Sequence, residues 1–517
     1  MSVLFPGFYL VCPDDASAGS SPDHRPAESV NAGKRGQTPA NAGSDADESG
    51  RMKLAVSGTR IFKGVGTALC LMAALVPAAR AQSATDAATI SEAFDYAYPL
   101  YLLSTYRWTA LETTSSRTST TLDHFAHSRK IATPDDKWAN GPIVEALYST
   151  AWIDLARGPV ILRTPDTRDR YYVLTLIDFY SNTFFYAGPR TTGTGAQQYY
   201  LVGPDWKGQA PEGAKVVRAP TNDLYVNLRV AVDGPADQQA ANAIQDGFTI
   251  TPAGTPSSAA QAQAVPARLQ PVPGDPKNFV DVVNQMLALD PPPERDKALT
   301  EKYRTIGICG AQCNWAALPD ATKAAWRASY PKLENQFFAW YLAQGHAHGW
   351  INYSPPGNKL GTTGQRNYQQ RAFALALGMG MLGLDRREAN YWNTFADAQG
   401  QPLTGGKRYR LRLPAGGIPS NAFWSVTLYS ADKSGQFLVD NPIHRYQISS
   451  LMANVKADAD GSIDIWLQSD PPPADKRANW LPTPADGQPF MLFARAYEPK
   501  SSVLSGAFRM PGVEALP

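Results

Sequence analysis

Cysteine and histidine are scarce in this chain of 517 residues: four Cys and six His. Cys12, Cys70 and His24 lie within the first 81 residues, leaving Cys309, Cys313 and five His for everything after. A zinc framework needs more than the Cys-Gly-Ala-Gln-Cys of 309–313 supplies, and this spacing is not the Cys-x-x-Cys of a thiol oxidoreductase. The pair reads as a disulfide closing a small loop in an oxidising compartment, as a metal pair, or as two free thiols.

An excess of either charge is also missing. Lys and Arg number 48 against 46 Asp and Glu. Eight basic and seven acidic residues fall within the first 81, so the remaining 436 residues carry 40 and 39. That balance gives no footprint for nucleic acid or anionic lipid. No Gly-x-Ser-x-Gly elbow is present, which argues against an α/β-hydrolase. No Gly-x-Gly-x-x-Gly follows a strand-like run, and no cofactor or metal is expected.

Long apolar runs are limited to one. Residues 67–78 (TALCLMAALVPA) follow Lys53, Arg60 and Lys63 and precede Ala79-Arg80-Ala81. This is the pattern of a signal peptide over 52–81, cleaved before Gln82. A membrane anchor is the alternative, but the run falls short of the ~20 residues a span needs. Residues 1–51, rich in Ala, Gly, Ser, Pro and Asp, read as a disordered extension, with Met52 as a possible initiator. The expectation is a periplasmic or secreted protein without a membrane span once the signal is removed.

What the chain does contain is β-strand signal. Residues 171–178 place Tyr171, Val173, Thr175 and Ile177 on one face and Tyr172, Leu174, Leu176 and Asp178 on the other. Both faces are largely apolar, as in a buried sandwich strand. Residues 224–230 alternate cleanly, with Leu224, Val226, Leu228 and Val230 inward and Tyr225, Asn227 and Arg229 outward. Strands are also predicted over 407–413, 423–429, 463–468 and 491–497. A helix is predicted over 86–115, kinked or interrupted at Pro99, and another over 237–246. The fold class is mainly β with helical insertions: two β-sandwich, jelly-roll-like domains joined by a helical section. The division is 82–250 for the first domain with its leading helix and 251–276 for a Pro/Ala-rich linker. A helical section follows over 277–385, then the second β domain over 386–517. The two β sections look alike in pattern but not in identity.

The blocks HFAHSRKIATPDD, LYSTAWIDLARGPVILRTPDTRDRYYVLTLIDFYSNTFFYAGPRTTGTG and YYLVGPDWKG resemble the DUF1254 domain. GQPLTGGKRYRLRL, IPSNAFWSVTLYS, LVDNPIHRYQIS, DGSIDIWLQSD and NWLPTPADGQPFMLFARAYEP resemble its companion, DUF1214, in a match beginning near residue 360. The resemblance implies exported, β-rich, sandwich-like proteins and no defined chemistry. One departure stands out: where the family pattern carries Asn-x-Asp-Thr before the LYS motif, this chain has Ile143, Val144, Glu145 and Ala146. A site lined by that segment would take a different ligand here.

Candidate site residues are polar groups in segments built for burial. Arg190, Thr191 and Thr192 of RTTGTG form either a turn between strands or an anion site with backbone amides. His124 and His127, and likewise His346 and His348, are paired by spacing; metal binding would need further ligands, and 346–348 otherwise reads as a helix C-terminus. His127 with Arg129, and His444-Arg445-Tyr446, lie in family-like motifs. Tyr148, Trp152 and Asp154 share a strand face, and Trp424, Asn479 and Trp480 come from the second domain. Such Trp and polar groups suit a carbohydrate or polar ligand, or else they are sandwich core. Glu145 and Asp178 form a carboxylate pair for glycosidic chemistry only at about 5–9.5 Å. The focal expectation is that His127, Tyr148, Asp178 and Arg190 meet at one cavity of the first sandwich. Two functions follow: a protein binding a small polar or glycan ligand in or between the sandwiches, with room for a homo-oligomer, or a hydrolase or lyase using Asp, Glu, His or Tyr as acid and base.

Overall fold

The computed structural model describes residues 66–137, 141–254, 267–342, 346–376, 383–431, 435–485 and 487–517, without the side chains of 66–85 and 334–347. The extension, the start of the signal-like stretch and much of the linker lie outside the described residues.

Helix α1 (Gly66–Glu112) continues through Pro99 rather than breaking there. Proline removes one backbone hydrogen bond, but Phe94, Leu100 and Leu103 on either side are fully buried in a helical core, and that packing outweighs the loss. The first β domain follows: β1 (Ala126–His127), β2 (Ala146–Asp154), β3 (Val160–Thr164), β4 (Tyr172–Asp178), β5 (Thr183–Ala187), β6 (Gln197–Val202), β7 (Lys215–Arg218), β8 (Asp223–Ala231), α2 (Gly234–Asp246) and β9 (Thr249–Pro252). The middle section holds α3 (Pro276–Leu289), α4 (Lys297–Tyr303) and α5 (Asp320–Leu342), then β10 (His346–Ala347), β11 (Trp350–Asn352) and α6 (Tyr368–Ala376). The second domain comprises β12 (Ala389–Thr394), β13 (Arg408–Leu413), β14 (Ser420–Ser430), β15 (Gln447–Ser449), β16 (Ile463–Gln468), β17 (Trp480–Pro482), β18 (Phe490–Pro499), α7 (Ser501–Leu504) and β19 (Glu514–Leu516).

Each domain is a sandwich. In the first, the sheet β1-β2-β8-β4-β5 packs on β7-β6-β3-β9 over a core that includes Leu147, Leu162, Leu174, Leu201 and Leu228. In the second, β10-β11-β12-β18-β14-β15 packs on β17-β16-β13-β19 over Leu411, Leu428, Ile465 and Leu492. The second domain repeats the first. The order β2-β8-β4-β5 answers to β12-β18-β14-β15, and β7-β6-β3-β9 to β17-β16-β13-β19. The parallel pair β6/β7 recurs as β16/β17, and β1 flanks β2 as β11 flanks β12. Register agrees as well: Tyr148 lies opposite Arg229 in the first repeat, and Tyr391 opposite Arg495 in the second.

The larger sheets of the two sandwiches face each other. Tyr171, Val173 and Ala231 pack there against Ala389, Phe423 and Tyr497. The other end of the first sheet's outer face, Trp152, Ile177 and Tyr225, is covered by the helices. Tyr225, Asn227 and Arg229 therefore do not point to solvent as their strand's alternation suggests; they are 1%, 2% and 4% exposed. Alternation within one strand says which residues share a face, not what covers it. The 346–352 segment is likewise a hairpin, not a helix end. His348 and Gly349 turn it with positive φ (54° and 81°), and β11 joins the second domain's sheet. Cys309 and Cys313 are bridged, with Cα atoms 5.4 Å apart. Among the described residues no helix is long and apolar enough to cross a membrane.

Candidate functional site

A cavity of about 160 Å³ lies where the two sandwiches face each other. It has room for on the order of ten waters. The first sheet contributes Tyr148 from β2 and Arg229 from β8. The second contributes Tyr391 from β12 and Phe493, Arg495 and Tyr497 from β18. Helix α6 forms a third wall with Gln370, Phe373 and Ala374. The period of two along a strand explains the lining: residues 493, 495 and 497 project to the cavity, while Leu492, Ala494 and Ala496 fill the sandwich core.

The polar groups are tightly held. Glu145, fully buried, accepts hydrogen bonds at Oε1 from Ser425 (2.9 Å) and Tyr497 (3.0 Å), and at Oε2 from the Val144 amide (3.1 Å). Arg495 Nη1 lies 3.5 Å from the same Oε1. Its guanidinium also donates to Thr427 Oγ1 and the Tyr429 hydroxyl, each at 3.0 Å, and sits over the Phe493 ring at 4.3 Å. Glu145 thus crosses from the first domain to satisfy a buried cation of the second, the condition under which an interior charge is tolerable. Arg229 stacks near the Tyr148 ring at 5.4 Å. Burial pushes the Tyr391 phenol up to about 12. Burial and then the Glu145 carboxylate hold Tyr497 well above the ordinary range. Both phenols are neutral donors at physiological pH.

Of the four residues expected to meet at one cavity, only Tyr148 lines it. Asp178 accepts from Asn182 Nδ2 (3.0 and 3.1 Å) and from the amides of Tyr180 and Asn182. Burial raises its pKa against those bonds and against Arg371, so it is not lowered by Arg190. Arg190 pairs instead with Glu388 Oε2 at 2.5 Å. The partner of that pair, Glu388, also binds the hydroxyl of Tyr171, at the opposite end of the strand from Asp178 and roughly 20 Å away by strand rise. Glu145 and Asp178 are separated in the same way along the sheet, too far for paired-carboxylate glycosidic chemistry. His127 Nδ1 bonds Ser149 Oγ (2.7 Å). Burial, followed by the Arg129 charge, lowers its imidazole to about 4. Arg129 itself pairs with Asp246.

The other expected residues hold structure. Thr192 Oγ1 accepts from the Gly188 amide, and RTTGTG closes a turn. Trp152 packs on Tyr225 in the helix-covered core (4.8 Å). Asp154 caps a short turn through the Ala156 amide and also lines a second cavity, of about 470 Å³, with Arg107, Asp123 and Arg268. Trp424 and Trp480 are buried with their indole N–H groups bonded to the carbonyls of Gly416 and Gln468. Arg445 donates to three carbonyls, of Arg477, Ala478 and Trp480, and Asn479 clasps Lys456. No Trp stacking platform for a sugar forms among them. Among the described residues no cluster of His, Cys, Asp or Glu suits a metal ion.

Arg229, Tyr391, Arg495 and Tyr497 were not singled out by sequence reasoning, although a signal existed. Glu145-Ala146-Leu147-Tyr148 recurs as Glu388-Ala389-Asn390-Tyr391, each at the start of its domain's first long strand. An arginine set in a strand apolar on both faces, FMLFARAYEP, was the second signal. Ile143, which replaces the family pattern's Asn, lines the cavity, and Glu145 stands beside it.

Residues 122–252 match the family described as "Protein of unknown function (DUF1254)", and residues 388–501 match "Protein of unknown function (DUF1214)". No curated protein matches the sequence. Among solved structures, the VPA0106 protein from Vibrio parahaemolyticus aligns at 24% identity over 84% of this chain and 100% of its own, with a TM-score of 0.62, so the fold is shared. A putative uncharacterized protein from Burkholderia cenocepacia aligns at 13% identity over 86% and 97%, with a TM-score of 0.39. With one matched region falling on each sandwich, the chain is a member of the DUF1254/DUF1214 domain-containing proteins.

Proposed function

We propose that this is an exported binding protein that holds a small polar ligand in the cavity between its two sandwiches. The observation that carries the reading is the lining: guanidinium and phenol groups from both repeats converge on one space that α6 borders on a third side. Groups so placed orient a ligand, while the apolar side chains around them strip its water. The cavity walls offer no carboxylate or imidazole among the described residues, and burial holds the Tyr391 and Tyr497 phenols in their protonated form. That favours binding over hydrolysis or lyase chemistry, which needs a base. Export is supported by the signal-like stretch before Gln82 and by the Cys309–Cys313 bridge, since such bridges persist in oxidising compartments.

The test is a thermal-shift screen of small acids, amides and sugars on the full chain, beside an Ala374→Trp variant that fills the cavity. Ligands are expected to raise the midpoint of the wild type and not of the variant. Equal shifts in both would place binding elsewhere and reject the reading. For export, periplasmic protein should begin at Gln82 by mass spectrometry; an intact Met52 would contradict it.

A further inference from the structure

The repeat itself bears on the ligand's chemistry. Glu145 and Glu388 occupy equivalent places, each three residues before the tyrosine that faces its domain's arginine. Glu145 reaches across to Arg495, where Tyr497 and Ser425 hydroxyls complete a receptor for one carboxylate. Glu388 does something else: it is taken by Arg190 and the Tyr171 hydroxyl. Arg229 holds in the first repeat the position that Arg495 holds in the second, and both arginines line the cavity, as do Tyr148 and Tyr391. One half of the molecule thus displays how the other half's arginine can receive a carboxylate.

We propose that the cavity takes a small monocarboxylate with a compact apolar body, its carboxylate standing to Arg229 as Glu145 stands to Arg495. This rests on the cavity being the ligand site. The Tyr148 and Tyr391 hydroxyls are the neighbouring donors, in the role that Tyr497 plays toward Glu145. The apolar body lies against Ile143, Phe373 and Phe493. The planar fork of a guanidinium suits a carboxylate in a way an ammonium does not.

Isothermal titration on the full chain tests this with benzoate, isovalerate, their neutral amides and inorganic phosphate. Benzoate or isovalerate is expected to bind about tenfold or more tightly than its amide. Arg229→Gln should abolish that preference, while Arg229→Lys, which retains charge but not the fork, should keep a weaker one. Ala374→Trp should lose acid and amide alike. Amides or phosphate binding as tightly as the acids would overturn the carboxylate inference, as would a preference that survives Arg229→Gln. In those cases, loss of binding in Ala374→Trp leaves the cavity reading standing. Unchanged binding in Ala374→Trp defeats the cavity reading and this inference with it. Absence of binding by both acids at millimolar concentration overturns the inference outright. Should Arg229→Gln fail to fold, the Arg229→Lys comparison carries the test alone, and an unaltered acid preference there counts against it.

Discussion

The two sandwiches share strand order, register and the Glu-Ala-x-Tyr start of β2 and its counterpart β12, yet they use their glutamates differently. Glu145 of the first repeat pairs with the central arginine of the second, in full burial. Glu388 of the second pairs with Arg190, a turn residue of the first whose side chain is 21% exposed. Two copies of one architecture have diverged where they meet. One contact became a sealed polar network, and the space beside it is bounded by Arg229. Buried guanidinium groups also resist apolar collapse, because each must keep polar partners. The other end of the first sheet, around Trp152 and Tyr225, is covered by the helical core, and the buried guanidinium there, Arg371, lies over the Tyr96 and Tyr368 rings.

Breaking each glutamate's ion pair separates the two repeats most sharply. Arg495→Met leaves Glu145 buried without its cation and should cost about 3–5 kcal/mol in urea unfolding. Arg190→Met removes the equivalent partner of Glu388, but Tyr171 still donates to that carboxylate and water can approach, so the cost should be about 1–2 kcal/mol. Equal losses would mean that the two contacts are alike and the divergence only apparent.

Legibility followed the same division. Within each sandwich, alternation placed β4, β8, β13, β16 and β18 correctly to within a residue or two, because one face of each strand must be apolar. The interface escaped because period-two patterns do not reveal what covers the second face: Arg229 looked solvent-facing and is 4% exposed. The Trp residues misled for the opposite reason. Trp152, Trp424 and Trp480 have the composition of a sugar platform, but burial with a bonded or packed indole is the commoner use of tryptophan. Asp178 and Arg190 are close in sequence but sit at opposite ends of β4, since a hairpin brings together only residues equidistant from its turn.

The smallest effect concerns the sheet edge. His127 of β1 and Asn352 of β11 hold corresponding places beside β2 and β12, so only the first repeat titrates there. The imidazole falls from 6.5 to about 4 on folding, chiefly through burial. Between those values the unfolded chain binds a proton that the folded chain does not, so stability should decline as pH drops from 6.5 towards 4. His127→Asn should flatten that part of the profile, as read from unfolding midpoints at successive pH values. An unchanged slope would assign the effect to other groups.

A ligand seated in the cavity between the repeats is the central expectation for this protein. A crystal soaked in 4-bromobenzoate tests this directly through the anomalous signal of bromine. The predicted result is one bromine site inside the cavity, with the carboxylate against Arg229 and the ring between Phe373 and Phe493. Bromine bound only on the outer surface, or absent from the cavity at saturating concentration, would contradict it.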